Sequence, residues 1–170
     1  MLNIDYYKSI FTFAFTKLIK MDRQDTKIVL ALMQNARITG ADIARKVNLS
    51  LPAVTSRLRK LDSSGVIDRY TIRLNRKKLD LHLMAFIQVW IDHTKAGTVK
   101  EQIIAMPEVL ECHHAAGDYD LLLKILVKDT AALEVLLVNK IKSIRAITRT
   151  STTIILDTYK EELNIKTNLL

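Results

Sequence analysis

The hydrophobic positions of residues 22–64 recur at helical spacing and are interrupted by two short polar breaks. The first helix is predicted over residues 22–35, because its apolar residues repeat every three or four positions. The sequence Thr-Gly-Ala-Asp resembles a capping box and predicts a second helix over residues 39–47. A third helix is predicted over residues 50–64, and Gly65 favours its termination. Short helices with a tight break before the last are typical of a helix-turn-helix.

The break between the second and third helices has the residue types that a tight turn requires. Asn48 tolerates the left-handed conformation, Leu49 can fill a core position, and Ser50 is a strong helix N-cap. Residues 66–74 then alternate between apolar and polar side chains, which predicts a strand and hence a winged helix-turn-helix. The polar residues 75–82 are interpreted as a linker.

The predicted third helix has an apolar and a polar side, because successive side chains are rotated by about 100°. The polar side and its flanks begin with small side chains and become basic: Pro52, Ala53, Thr55, Ser56, Arg57, Arg59 and Lys60. Such a helix can place its start in the DNA major groove while its later residues meet phosphates. The residues expected near bases are Ser50, Pro52, Ala53 and Ser56. Phosphate contacts are expected for Arg57, Arg59 and Lys60.

Residues 83–160 show four strand-like patterns and two helical ones. The strands are predicted over residues 83–91, 109–116, 121–127 and 144–158. The helices are predicted over residues 98–106, before Pro107, and after the N-cap Asp129. The order β-α-β-β-α-β is that of a ferredoxin-like domain. Because its helices cover one face of the sheet, the other face is expected to be polar or covered by a second subunit.

The sequence ECHHAAGDYD at residues 111–120 gathers the only cysteine, two histidines and three acids. Adjacent strand residues point to opposite faces, so His113 and His114 cannot bind one ion from a regular strand. Cys112 shares a face with His114. Glu111 shares a face with His113, so that each face offers only two ligands, fewer than a zinc site needs. We therefore predict no metal, no cofactor and no catalytic Cys–His pair.

The charge of the chain is divided unevenly along its length. Residues 21–80 contain thirteen Lys and Arg against six acids, whereas residues 81–170 contain ten against eleven, and the total net charge is +8. A basic segment beside a neutral one suggests a polyanion-binding module joined to another domain. A solvated basic surface on a plain three-helix bundle is the alternative.

The first twenty residues differ from the rest, since they contain half of the aromatic residues of the chain. Two interpretations remain open for residues 1–20: an extra helix that packs on a partner subunit, or a segment that does not belong to the native protein. They lack the features of a secretory signal. No apolar run of the chain is long enough to cross a bilayer, and a single cysteine fits a reducing compartment, so we expect a cytoplasmic protein without membrane contact.

Three sequences, MDRQDTKIVLALMQNARITGADIARKVNLS, VTSRLRKLDSSGVIDRY and MPEVLECHHAAGDYDLLLKI, occur in this order. Together they resemble the Lrp/AsnC family of bacterial and archaeal transcription regulators over about residues 21–160. The resemblance implies an α+β protein with a winged helix-turn-helix at residues 21–74 and a ferredoxin-like effector-binding domain at residues 83–160, before a tail at residues 161–170. It also implies binding of double-stranded DNA, a homodimer that assembles to an octamer or similar, and an amino acid or related metabolite as effector.

The family has a turn with the pattern G-x-x-D that helps to form the effector pocket at a subunit interface. Gly117 and Asp120 match this pattern, with Asp118 and Tyr119 between them. Glycine lets the backbone approach a small ligand, and aspartate can accept a hydrogen bond from its ammonium group. The last strand contributes two further candidates, Thr150 and Thr152. The alternative for Gly117 is an ordinary hairpin glycine.

Two rival functions use the same fold. Some proteins of similar architecture are tetrapyrrole decarboxylases, so the fold alone does not exclude a metabolic enzyme. A stand-alone effector-sensing partner protein is the other rival. Both leave the basic third helix unexplained, and we expect a transcription regulator rather than an enzyme.

Overall fold

A computed structural model of the protein describes residues 21–162. Within them, residues 21–72 and Arg73–Glu161 form two separate compact units. No helix in this part of the chain is long and apolar enough to span a membrane. The predictions for residues 1–20, and for residues 163–170 of the predicted tail, lie outside the described residues.

The N-terminal unit contains the three predicted helices, α1 (Arg23–Gln34), α2 (Gly40–Val47) and α3 (Leu51–Ser63). Each begins at a side chain that accepts backbone N–H groups of the first turn, and these N-caps are Asp22, Thr39 and Ser50. The helices share one core, whose fully buried members include Ile28, Ile43, Val54 and Leu61. The core therefore takes side chains from all three helices and holds α3 against the other two.

Both predicted helix ends of this motif are confirmed by their backbone conformations. Asn48 ends α2 with a φ of 57°, in the left-handed region. Gly65 follows α3 with a φ of 73°. These positions therefore need residues that tolerate a positive φ, which the sequence provides at both.

Residues 66–74 do not form the predicted strand. Their alternating apolar side chains are exposed instead, with exposed fractions of 53 %, 72 % and 62 % for Tyr70, Ile72 and Leu74. A strand needs a neighbour for its backbone hydrogen bonds, and no segment of residues 21–162 pairs with this one. The strand predicted from the alternating pattern is therefore wrong. In the predicted linker, Arg76–Leu79 forms a short 3₁₀ helix.

The C-terminal unit has the predicted order of elements. Its strands are β1 (Leu83–Ile91), β2 (Val109–His114), β3 (Leu121–Val127) and β4 (Ile147–Ile155). Its helices are α4 (Val99–Ile104) and α5 (Thr130–Val135), which continues as a π-helical turn over Leu136–Ile141. The strand order is β2-β3-β1-β4 with all neighbours antiparallel, which confirms the ferredoxin-like arrangement. Strands β2 and β4 are shorter than predicted.

The two faces of the sheet differ in what they contact. Ala85 and Ile87 of β1, with Leu123 and Ile125 of β3, are fully buried in the core that α4 and α5 cover. The intervening residues point to the opposite side, which we call the open face. Its residues on the two central strands are Met84, Phe86, Gln88, Trp90, Leu122, Lys124 and Leu126.

Candidate DNA-binding and effector sites

Helix α3 exposes most of the residues predicted to contact DNA. Ser50, Pro52, Ser56, Arg59 and Lys60 are exposed, whereas Ala53, Thr55 and Arg57 are half-buried. The hydroxyl group of Ser50 caps the helix by accepting a hydrogen bond from the Ala53 N–H at 3.4 Å. The hydroxyl group of Thr55 donates to the Leu51 carbonyl oxygen at 2.9 Å. The first turns of α3 thus expose small side chains, and the exposed cations lie closer to its C-terminal end.

Arg57 is bound inside the N-terminal unit instead of projecting freely from it. Its Nη1 lies 2.5 Å from Asp22 Oδ2 and 2.6 Å from Asp25 Oδ1, and the Asp25 side chain is fully buried. The hydrogen bonds that Arg57 donates to the carboxylates of Asp22 and Asp25 raise the pKa of Arg57. Burial raises the pKa of Asp25, but the hydrogen bonds from Arg57, the Asp22 N–H and Lys60 outweigh it, so that this pKa is lowered.

The ion pairs of Arg57 are not visible in the sequence, because their partners lie 35 and 32 residues away. Asp22 and Asp25 form a capping box at the start of α1, and no local sequence pattern marks them as partners of a cation from α3. Lys60 is the looser member of the group: its Nζ lies 3.3 Å from Asp25 Oδ2 and its side chain is 53 % exposed.

The candidate effector turn lies between β2 and β3. The Ala115 N–H donates to the Asp120 carbonyl oxygen, and the Asp120 N–H donates to the Val89 carbonyl oxygen, both at 2.9 Å. Gly117 and Asp118 are exposed in this turn. Gly117 does not have a positive φ, and a Cβ atom there would meet nothing within 4 Å. Neither local conformation nor contacts within the described chain therefore require glycine at this position.

Asp120 attaches the turn to the end of β1. Its Oδ2 accepts a hydrogen bond from the Ile91 N–H at 2.6 Å, and its Oδ1 lies 2.9 Å from His93 Nε2. The Ile91 contact is partly buried, whereas the His93 side chain is 72 % exposed. One carboxylate oxygen thus has a structural role, and the other faces a partner at the surface.

An aromatic group lies beside this turn and was not predicted from the sequence. The Trp90 and Tyr119 rings meet edge to face with centroids 6.2 Å apart. The Arg149 guanidinium lies 4.6 Å from the Trp90 ring centroid, a cation–π contact. These three residues come from β1, the turn and β4, so no local sequence pattern connects them.

The two threonine candidates lie on β4, one strand away from the effector turn. Thr150 and Thr152 pair with Val89 and Ile87 of β1. Strand β1 separates β4 from β3, and directly paired residues share a face, so both threonines lie on the helix-covered side of the sheet. Val89 lies between Thr150 and the turn, since it pairs with Thr150 on one side and its carbonyl oxygen accepts the Asp120 N–H on the other.

The residues of the cysteine–histidine cluster take opposite faces, as predicted. His113 pairs with Leu122 on the open face, and His114 pairs with the buried Leu121. Burial raises the pKa of the Cys112 thiol, which disfavours the nucleophilic thiolate. Among residues 21–162, no three His, Cys, Asp or Glu side chains are close enough together to hold a metal ion.

Two family models match the chain, each over one of the two units. A winged helix-turn-helix DNA-binding model matches residues 21–68. A model described as the Lrp/AsnC ligand binding domain matches residues 84–165. The two matches follow one another along the chain in the same order as the two units.

Named relatives match almost the whole of their own lengths. An uncharacterised helix-turn-helix transcriptional regulator of Pyrococcus abyssi is 35 % identical over 146 residues, which cover 84 % of this chain and 97 % of that protein. The leucine-responsive regulatory protein of Salmonella typhimurium is 33 % identical over 153 residues, 86 % of this chain and 93 % of that protein.

Solved structures show the same fold. A transcriptional regulator of Neisseria meningitidis in complex with L-Met has a TM-score of 0.83 at 27 % identity, covering 89 % of this chain and all of that one. A feast or famine regulatory protein of M. tuberculosis with L-methionine has a TM-score of 0.79 at 31 % identity, covering 86 % and 99 %.

Proposed function

The chain belongs to the Lrp/AsnC family of DNA-binding transcriptional regulators, and we propose that α3 is the helix that reads its DNA. The observation that carries this assignment is the order of side chains on the exposed side of α3: Ser50, Pro52 and Ser56 precede Arg59 and Lys60. Short side chains let the helix approach base edges, and cations farther along bind phosphates. Ala53 and Thr55 are assigned to the same slim edge.

A direct test compares two DNA duplexes of equal length, one from the region upstream of the protein's own gene and one of random sequence. At about 0.15 M salt, we expect the upstream duplex to bind ~10³-fold more tightly or better. Equal affinity for the two would contradict sequence-specific regulation at this site.

For the effector, we propose an amino acid bound at the turn of residues 115–120. Open space at Gly117 allows a ligand to approach the backbone, and the Asp120 carboxylate can accept hydrogen bonds from an ammonium group. The ligand would replace the exposed His93 as partner of one carboxylate oxygen, with Asp118 and Tyr119 beside it. Two structural relatives were solved with L-methionine. Thr150 and Thr152 on β4 are proposed to line the same pocket.

The effector proposal is tested by thermal unfolding of the full chain in the presence of each amino acid. A ligand that binds the folded state at 100 times its Kd stabilises it by about 2.7 kcal/mol. An unchanged midpoint with all amino acids would contradict this effector class.

We further propose that the protein is a homodimer that assembles further, to an octamer or similar. The exposed apolar side chains of Tyr70, Ile72 and Leu74 support a second copy of the chain. If this unpaired segment paired with a segment of a partner subunit, these side chains would be removed from water. Sedimentation at micromolar concentration tests this, and a monomer would contradict it.

An enzymatic function is not favoured. The relatives named above are transcription regulators, and a metabolic enzyme such as a tetrapyrrole decarboxylase would leave the basic side of α3 without a role. We therefore propose a non-enzymatic regulator. Carbon dioxide release from a tetrapyrrole without DNA binding would contradict this assignment.

A further inference from the structure

The start of α1 is joined to the middle of α3 by an ion-pair group, Asp22, Asp25 and Arg57, which we call the acidic clamp. We propose that Arg57 is a positioning residue: through the clamp it fixes α3 against α1, and it does not neutralise a DNA phosphate. The inference rests on the DNA-binding role of α3. It replaces the expectation, drawn from the sequence, that Arg57 acts beside Arg59 and Lys60.

The geometry of the clamp holds the arginine firmly. A single nitrogen, Nη1, contacts both carboxylates at 2.5 and 2.6 Å. Both acids are fixed by the helix start: Asp22 Oδ1 accepts the Gln24 and Asp25 N–H groups at 2.8 Å each, and Asp25 Oδ2 accepts the Asp22 N–H at 3.3 Å. To reach a phosphate, Arg57 would have to break two charge-assisted bonds and leave the fully buried Asp25 without its nearest cation.

The place of Arg57 along α3 explains why its anchoring affects recognition. It follows Ser56, the last of the residues assigned to base edges, and precedes Arg59 by two positions. A rotation or shift of α3 would move every base-facing side chain together, and base contacts require close geometry. Exposed cations on long flexible side chains can still reach phosphates after such a shift, and these contacts carry no sequence information directly. Loss of the clamp should therefore reduce specific binding and spare non-specific binding.

The test uses the full-length protein with Arg57→Met, well below its unfolding temperature. Affinities for the upstream duplex and for a random duplex are measured over a series of salt concentrations. We expect the affinity for the upstream duplex to fall at least tenfold. For the random duplex, we expect neither the affinity nor its dependence on salt to change. In the matched control, Arg59→Met, both affinities should fall and the slope of log K against log salt should flatten by about 0.9, as for one lost phosphate contact.

Two results would overturn the inference. A salt slope that flattens by about 0.9 in Arg57→Met would make Arg57 a phosphate contact. A lower unfolding temperature with both affinities unchanged would make the clamp a stability element only.

Asp25→Asn provides an independent variant should Arg57→Met fail to fold. It keeps the shape of the side chain and leaves Arg57 in place, but removes the buried negative charge. We expect the same selective loss of specific binding. A phosphate role for Arg57 predicts the opposite, an unchanged or tighter complex with both duplexes, because the arginine is released.

If the unmodified protein does not distinguish the two duplexes, the proposed reading of DNA by α3 fails, and this inference fails with it.

Discussion

Lys124 Nζ lies 2.5 Å from Glu161 Oε1, so the segment after the last strand is bound to the open face of the central strand β3. Lys124 also contacts Glu111 on β2 at 3.0 Å, and Glu161 contacts Arg73 at 3.0 Å. The sequence placed Glu161 in a tail beyond the domain, whereas the structure includes it in the C-terminal unit. Its carboxylate joins the two ends of that unit.

We predict that Glu161→Gln lowers the free energy of unfolding of the C-terminal unit by about 1–2 kcal/mol at neutral pH, since it removes a charge-assisted bond to a mostly buried ammonium group. Urea denaturation measures this. The control is Glu111→Gln, whose carboxylate is more exposed and should matter less. Equal losses in the two variants would contradict the special position of Glu161.

The same pair predicts a pH dependence. The hydrogen bond from Lys124 lowers the pKa of Glu161. Its stabilisation is therefore complete above the ordinary glutamate pKa of about 4.3 and is lost as the pH falls through the lowered pKa. Unfolding measured from pH 7 to pH 3 should show a smaller acid loss in Glu161→Gln than in the unmodified protein. Parallel curves for the two proteins would contradict this.

We predict that Lys60→Met weakens binding to specific and random DNA alike and flattens the salt slope by about 0.9. The side chain is half exposed and its contact with Asp25 is long, so it is free to meet a phosphate. Binding titrations over a range of salt concentrations measure both effects. A loss confined to the upstream duplex would instead place Lys60 in the acidic clamp.

Two glycines should respond differently to the same substitution. Gly65→Ala should destabilise the N-terminal unit by about 1 kcal/mol, because Gly65 has a φ of 73°. Gly117→Ala should leave stability within about 0.5 kcal/mol, since the added Cβ meets nothing in the described chain. Its effect should appear as a weaker response to the effector in thermal unfolding. An unaltered response would make Gly117 an ordinary turn residue.

For Asp120, the structure favours Asn over Ala as the test substitution. Asp120→Ala would leave the partly buried Ile91 N–H without its acceptor and cost about 1–3 kcal/mol. Asp120→Asn keeps an acceptor and removes the charge. We predict that it abolishes the stabilisation by the effector and leaves DNA affinity without effector unchanged. Equal loss of both would make Asp120 purely structural.

The elements of this protein were predictable where the cause is local. The caps at Asp22 and Ser50, and the turn residues Asn48 and Gly65, act on backbone within a few positions, so the helices and their ends follow from neighbouring residues. The strand and helix periods likewise predicted the order of elements along residues 83–160, and strand alternation predicted the opposite faces of His113 and His114. Family resemblance added the effector turn, which no local pattern marks.

The tertiary structure alone decided the relationships that depend on distant partners. Arg57 has the appearance of a phosphate contact in the sequence, but carboxylates 35 and 32 residues away hold it inside. Residues 66–74 have the pattern of a strand, but hydrogen bonds from a second segment are needed to make one. The sequence determined which local conformations are favourable. Packing decided which charges meet and which backbone groups find a hydrogen-bond partner. The energies of these contacts depend on residues that are far apart in the chain.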